Sequence, residues 1–355
     1  MTRLGGFLSV LLCGTVLSVP AGANNCDDAL YRRYNPEECA KQSGFSLATG
    51  ATVAGTLKTA HRWDTKASKQ VNHSMGGIVG ECCDAVTIKD SNNTANVSWE
   101  RASSAQRTQY SSAVVGGIVG RILGGNALVE NCHNNSNLYT GSYNNGSYDQ
   151  YAKPNAAGGI VGSFGLTNDV IPETLTVRNC TSKGKLRALR GFVAGIVGWA
   201  QNATIEDCSY TTAAFENDIN PHAAGIIAGA YTSGSIKNCT AIVDIQVTNG
   251  GSCNPRGGGI VAIAQSVIVD GCSYFGNLTY GNGHSDPAQN GQDYLGGIIG
   301  DGDMDCIIRN CRYGGSVNTV TISANNVETY AKGTEYHSGT PCAAVVESVE
   351  YWNGK

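Results

Sequence analysis

The chain has 355 residues, 24 Lys and Arg against 28 Asp and Glu, a net charge of −4, 47 Gly and 14 Cys. Charged residues make up only 15%, against about 25% in typical globular domains. There is no basic stripe, which argues against nucleic acid or an anionic membrane surface as partner.

Residues 1–23 read as a secretory signal. Arg3 precedes an apolar run from Phe7 to Val19, too short to span a bilayer as a helix, and Ala21-Gly22-Ala23 fits a small-x-small cleavage site. No later apolar run could span a membrane, so the expected location is secreted or at the cell surface, with periplasmic transit or residence. Export permits disulfides. Residues 24–43 carry charge and a short helical pattern stopped near Pro36, flanked by Cys26 and Cys39. They are expected to form an N-terminal cap, with a Cys26–Cys39 disulfide as a candidate, covering the open end of a stack.

From Gly44 the chain reads as repetitive β-structure, first as a degenerate coil and then as a clear repeat over 75–318. Met75-Gly76-Gly77-Ile78-Val79-Gly80 returns six times, the copies centred on Gly117, Gly159, Gly195, Gly225, Gly259 and Gly297. The steps are 40, 42, 36, 30, 34 and 38 residues. Such self-similarity marks a repeat array. Each copy leads to an anchor: Ser91, Cys132, Cys180, Cys208, Cys239, Cys272 and Cys311. Apolar residues stand three and five positions before the anchor, as in Val129 and Ala127. Spacing by two is a strand. The residue just before the anchor is Asp90, Asn131, Asn179, Asp207, Asn238, Gly271 or Asn310, the types that tolerate left-handed backbone at a corner. Each repeat reads as strand, turn, strand, corner, strand. Stacking at about 4.8 Å per coil gives a parallel β-solenoid (β-helix) of about seven to nine coils. Right-handed coiling is favoured by the crossover rule. A propeller would need four strands even in the 30-residue copy.

The Gly-Ile-hydrophobic-Gly core with its hydrophobic-x-Asn-Cys anchor resembles the GLUG motif, over about residues 75–318. The copies ending in Ala228 and Ala262 depart from the last Gly. GLUG repeats occur in bacterial surface proteins, adhesin-like proteins and non-catalytic parts of immunoglobulin A proteases. The resemblance implies a β-solenoid in a cell-surface setting and carries over no catalytic residue.

The inward Cys column is expected to be a ladder of buried free thiols, because parallel Cβ vectors fit a disulfide poorly. Long excursions leave one corner in copies one, two and six: Ser98 to Val114, Tyr139 to Ala156 and Thr279 to Tyr294. They should line one edge, where repeat folds bind. Tyr139, Tyr143, Tyr148, Tyr151, Tyr280 and Tyr294 offer aromatic faces beside Asn and Asp, a composition that suits sugar rings and equally suits soluble turns. The partner expected is a glycan or a host or cell-surface protein. Asp301, Asp303 and Asp305 are spaced two apart, as hard oxygen ligands for calcium can be; an acidic turn is the plainer alternative. No other cofactor is implied.

No nucleophile–base–orienter set stands out for catalysis. A polysaccharide lyase or glycoside hydrolase on the same scaffold would have to draw on loop carboxylates such as Asp286, Asp293 and Asp301. Three functions follow: an adhesin-like binding protein, such an enzyme, or a structural, self-assembling surface component. Cys342 to Val346 and Val349 to Trp352 are expected as closing strands.

Overall fold

A computed structural model describes residues 45–335 and 340–354, except 50–51, 54–55, 61–72, 83–84, 101–112, 141–154, 166–172, 189–190, 216–221, 249–253 and 282–292. The signal, the expected cap and Cys26 and Cys39 lie outside these residues.

The molecule is a parallel β-solenoid. Nine rungs stack in chain order along one sheet, from Phe45–Thr49 to Val345–Val346. The expected closing strands are among them: Val345–Val346 and Val349–Tyr351 pair in parallel with the last full coil. Among the described residues no helix is long and apolar enough to cross a membrane.

The first three motif copies hold five short strands each, the copies at Gly195 and Gly225 hold the three expected, and the last two hold four. In the second motif copy the five are Ala113–Gly116, Val119–Ile122, Ala127–Glu130, His133–Asn134 and Leu138–Thr140. The first strand carries the residues that lead into the motif, and the anchor opens a two-residue strand of its own. Val115, Ile118, Val119, Ile122, Ala127, Val129, Cys132 and Leu138 all turn into the core. Each position repeats on every coil, so the core is a set of columns in register.

The corner before each anchor is left-handed, as its residue types require. Six of the seven, including Asn131 and Asn310, have φ between 51° and 53° and Gly271 has 66°. The cysteines behind it are free and buried. Cys132 Sγ–H donates to Glu130 O at 3.3 Å, and Cys180, Cys208 and Cys239 repeat the contact at 3.2 Å. All six are enclosed, none more than 1% exposed, so the column packs as small apolar side chains.

The motif glycines are fixed by close approach. A Cβ on Gly117 would stand 2.1 Å from Gly159 O and 2.5 Å from the Asn134 side chain. The turn therefore presses against the coil above and the side chain two past the anchor at once.

The third strand turns its other face outward, with alternating buried and half-exposed residues. One outward column on it is ionic: Lys89, Glu130, Arg178, Glu206, Lys237, Asp270 and Arg309 are in register on successive coils. The signs alternate without exception. Lys89 Nζ lies 2.8 Å and Arg178 Nε 2.6 Å from the Glu130 carboxylate, and Arg309 Nε 2.9 Å from Asp270.

The C-terminal end is dressed differently from the coils. Val320–Thr321 pairs antiparallel with Cys311–Val317 and Thr334–Glu335 with Tyr294–Gly296, and a five-residue helix, Val327–Ala331, lies between the two in the chain. This breaks the run of parallel edges.

Candidate functional site

In the middle coils the first and second strands are buried on both faces, as in Val119–Ile122, Val161–Phe164, Gly191–Ala194 and Val261–Ala264. One face meets the core. The other meets its neighbour, because the chain doubles back at the Gly-Gly turn and folds the solenoid wall into a re-entrant crease. The last glycine of the motif makes this approach possible. A Cβ on Gly162 would stand 2.6 Å from Val114 Cγ1, on the first strand of the coil before. Ala228 and Ala262 take that position in two copies and join the buried cluster lining the crease, with Val114, Ala156, Phe192 and Trp199. Here a methyl group fills what the other copies leave as backbone contact.

Two columns face each other across the crease. The first strands give Ser74, Val114, Ala156, Phe192, His222, Arg256 and Tyr294. The second give Glu81, Arg121, Ser163, Trp199, Gly229, Ile263 and Asp301. The chemistry changes along the line. At the N-terminal end Ser74 Oγ donates to Glu81 Oε2 at 2.6 Å, and Arg121 Nη1 stands 4.0 Å from the same carboxylate. Midway, the Phe192 and His222 rings lie 4.8 Å apart and tilted by 33°, with Trp199 only 6% exposed. At the C-terminal end Arg256 Nε donates to Asp301 Oδ2 at 2.6 Å. The aromatic middle is closed, whereas the Arg256 and Asp301 side chains are 16% and 28% exposed. Tyr294 is half-buried beside Arg256. The crease therefore opens at this end.

The long excursions connect to the crease directly. Residues 101–112, 141–154 and 282–292 each run from a coil's last strand to the first strand of the next coil. Tyr143, Tyr148, Tyr151 and Asp286 fall outside the described residues. Tyr139 is half-buried on the column leading to its excursion, with the Arg187 guanidinium of the next coil 4.6 Å from its ring centre. Tyr280, at the start of the last excursion, packs against the core, as does Tyr294 at its end. Of the six tyrosines, Tyr294 is the one on the crease.

The three aspartates are adjacent but are not gathered as a ligand set. Asp301 is paired with Arg256. Asp303 Oδ1 folds back to accept from the amides of Ser266 and Asp305, each at 3.2 Å, and from Cys306 Sγ at 3.3 Å. Burial and that carboxylate push the Cys306 thiol up to about 12. Among the described residues no group of three His, Cys, Asp or Glu is placed to hold a metal ion. Asp293 is wholly enclosed.

The spacing of the motif does not announce the crease. Its signal lies three residues before the motif's second glycine, where Ser, Val and Ala give way to Phe, His, Arg and Tyr down the chain. Comparison with protein families, characterised proteins and solved structures finds no match.

Proposed function

We propose that this is an exported, adhesin-like surface protein that binds an extended polar polymer, a glycan, at the open C-terminal end of the crease. The observation that carries the reading is the set Arg256, Asp301 and Tyr294 in a concave line at the foot of the 282–292 excursion. A guanidinium and a carboxylate address sugar hydroxyls, and a half-buried ring offers a face for their apolar side. The aromatic run Phe192, His222 and Trp199 continues the line inward. The likeness of residues 75–318 to GLUG repeats and the secretory signal support a cell-surface setting.

The test is a broad glycan array probed with the chain lacking its signal, beside Arg256→Ala with Tyr294→Ala, and beside a deletion of 141–154. The expected result is a hit weakened tenfold or more, about 1.4 kcal/mol, by the double substitution and less by the deletion. A hit unmoved by the double substitution, or a blank array, overturns the reading.

A further inference from the structure

We propose that the outward face of the third strands is a dimerisation surface, and that its occupant is a second copy of this chain laid antiparallel across it. The argument begins with the ionic column. It runs Lys89, Glu130, Arg178, Glu206, Lys237, Asp270 and Arg309, and a further member closes it. Val346 pairs with Ile308, and Glu347 N donates to Ile308 O at 2.8 Å, which puts Glu347 at the rung of Arg309. The ladder is therefore eight charges long, positive first and negative last. On the other side of Lys89 its partner is Thr49, which is uncharged.

An alternating ladder of even length has a symmetry property. A two-fold axis lying along the strand direction reverses the order of the coils and returns each column to itself. Rung one then faces rung eight, two faces seven, three faces six, and four faces five. Lys89 meets Glu347, Glu130 meets Arg309, Arg178 meets Asp270, and Glu206 meets Lys237. Every cross-pair is of opposite sign. A two-fold along the solenoid axis would instead bring each charge of the column onto its own kind. The ladder thus selects one isologous arrangement, and a closed one.

The neighbouring columns agree. Beside the charges runs a second outward column of Thr87, Leu128, Thr176, Thr204, Ser235, Ile268, Ile307 and Val345. It is apolar toward the C-terminal end, where Val345 is one of three large exposed apolar residues among those described, at 45%. The same axis seats Ile307 on Leu128 and Val345 on Thr87. On the other side of the charges, the corner column sets Asp90 opposite Ser348 and Asp207 opposite Asn238, so no like charges meet there either. Ion pairs within one copy do not use up the face. The side chains of Lys89, Arg178, Lys237 and Arg309 remain 39%, 43%, 47% and 39% exposed.

The size sets the strength. Seven steps of about 4.8 Å make the face roughly 34 Å long, and four residues at about 3.3 Å make it roughly 13 Å wide. That is roughly 450 Å² per copy, below the standard interface. The dimer is weak and salt-sensitive, because its contacts are exposed charges.

Sedimentation velocity of the purified full chain tests it, across protein concentration and in salt from about 20 mM to about 500 mM, where screening lengths fall below the spacing of most surface charges. The expected result is a concentration-dependent dimer at low salt and a monomer at high salt. Thr204→Lys with Ser235→Lys places like charges opposite each other at the two-fold and should leave a monomer at low salt. Both positions point outward, so circular dichroism and the melting temperature should stay at the parent values. A chain that is monomeric at every concentration in low salt overturns the proposal and leaves the ladder as a device that fixes coil register. A dimer indifferent to salt, or one that the folded double variant still forms, overturns it too. Should the double variant misfold, Thr87→Lys with Val345→Lys makes the same test at the ends of the face.

Discussion

The two halves of the solenoid fill the same internal corner in opposite ways. Two positions past the anchor, the first three coils place Asn93, Asn134 and Ser182, while the later ones place Tyr210, Ala241, Tyr274 and Tyr313. In the N-terminal half the corner is a polar ladder. Asn93 Nδ2 donates to Asn134 Oδ1 at 3.0 Å and to Ser136 Oγ at 2.8 Å, and its Oδ1 accepts from Ala95 N at 2.9 Å. An amide that bonds its own backbone two residues on interrupts the ladder of the sheet. Accordingly the fourth and fifth strands stay separate and short there, as in Asn92–Asn93 and Asn96–Glu100. In three of the four later coils a ring fills the corner, and its hydroxyl reaches a carbonyl elsewhere: Tyr210 to Gly184 O at 2.9 Å, Tyr274 to Val243 O at 3.2 Å and Tyr313 to Val327 O at 2.6 Å. Nothing then competes with strand pairing, and the two strands merge into Thr240–Val247 and Ser273–Tyr280. The fourth and fifth strands thus stay apart where Asn or Ser stands in this column and run together where Tyr or Ala does.

The largest effect should come from a change that ignores this difference. Gly159 and Gly259 occupy the same place in their turns. A Cβ would lie 1.9 Å from Gly195 O at the first and 2.0 Å from Gly297 O at the second. The lateral neighbours differ, Ser182 in one and the Tyr274 ring in the other. Because the obstacle common to both is backbone, Gly159→Val and Gly259→Val should be equally severe, each above about 4 kcal/mol, read as loss of the cooperative melt. Tolerance of Gly159→Val alone would show that the side-chain neighbour, and not the coil above, sets the requirement.

Next in size is Tyr274→Ala. It removes a fully buried ring and should cost about 3–5 kcal/mol. Repeat proteins open locally, so hydrogen exchange should rise in 240–247 and 273–280 while 86–97 stays protected. Uniform deprotection along the chain would mean that the two halves melt as one. Smaller still is Asn134→Ala, at about 1–3 kcal/mol. Asn93 keeps its bonds to Ala95 and Ser136, but the Ser136 hydroxyl loses the amide oxygen it donates to and Ser182 Oγ the amide that donates to it. Exchange should rise in the N-terminal coils only, which is the mirror image of Tyr274→Ala.

Much of this was legible in the chain. The left-handed corner could be read from Asn, Asp and Gly before the anchor, because those residue types tolerate a positive φ. The free cysteines followed from the geometry of parallel Cβ vectors. What could not be read depends on who the neighbour is. The last motif glycine, as at Gly162, is required by Val114 on a strand of the coil before, nearly fifty residues earlier in sequence, so the crease is invisible to periodicity. The change from Asn and Ser to Tyr and Ala in this column is visible in the sequence, whereas the joining of the fourth and fifth strands is not. The ionic ladder sits two residues before each anchor and emerges once the copies are aligned by that anchor rather than by the glycines. As for the site, Tyr294 and Asp301 were picked out among the tyrosines and aspartates, but Arg256, which joins them, was not.

The smallest effect concerns acid, and it treats both halves alike because the ladder runs through both. The Lys89 ammonium and the Arg178 guanidinium hold the Glu130 carboxyl below its ordinary value of 4.5. In the other half Asn310, then Arg309, hold the Asp270 carboxyl below 3.8. A carboxyl whose folded value lies below its unfolded one contributes stability above the unfolded value, and loses it as pH falls through the folded one. Stability should therefore be level above about pH 5 and decline gently below about pH 4. Both carboxylates are on the surface, so the decline is shallow. Glu130→Gln should flatten it in the N-terminal coils and Asp270→Asn in the C-terminal ones, by similar amounts in exchange measured against pH. If only one substitution flattens the decline, the ladder is not one continuous device, and the boundary drawn by the tyrosines extends from the core to the surface.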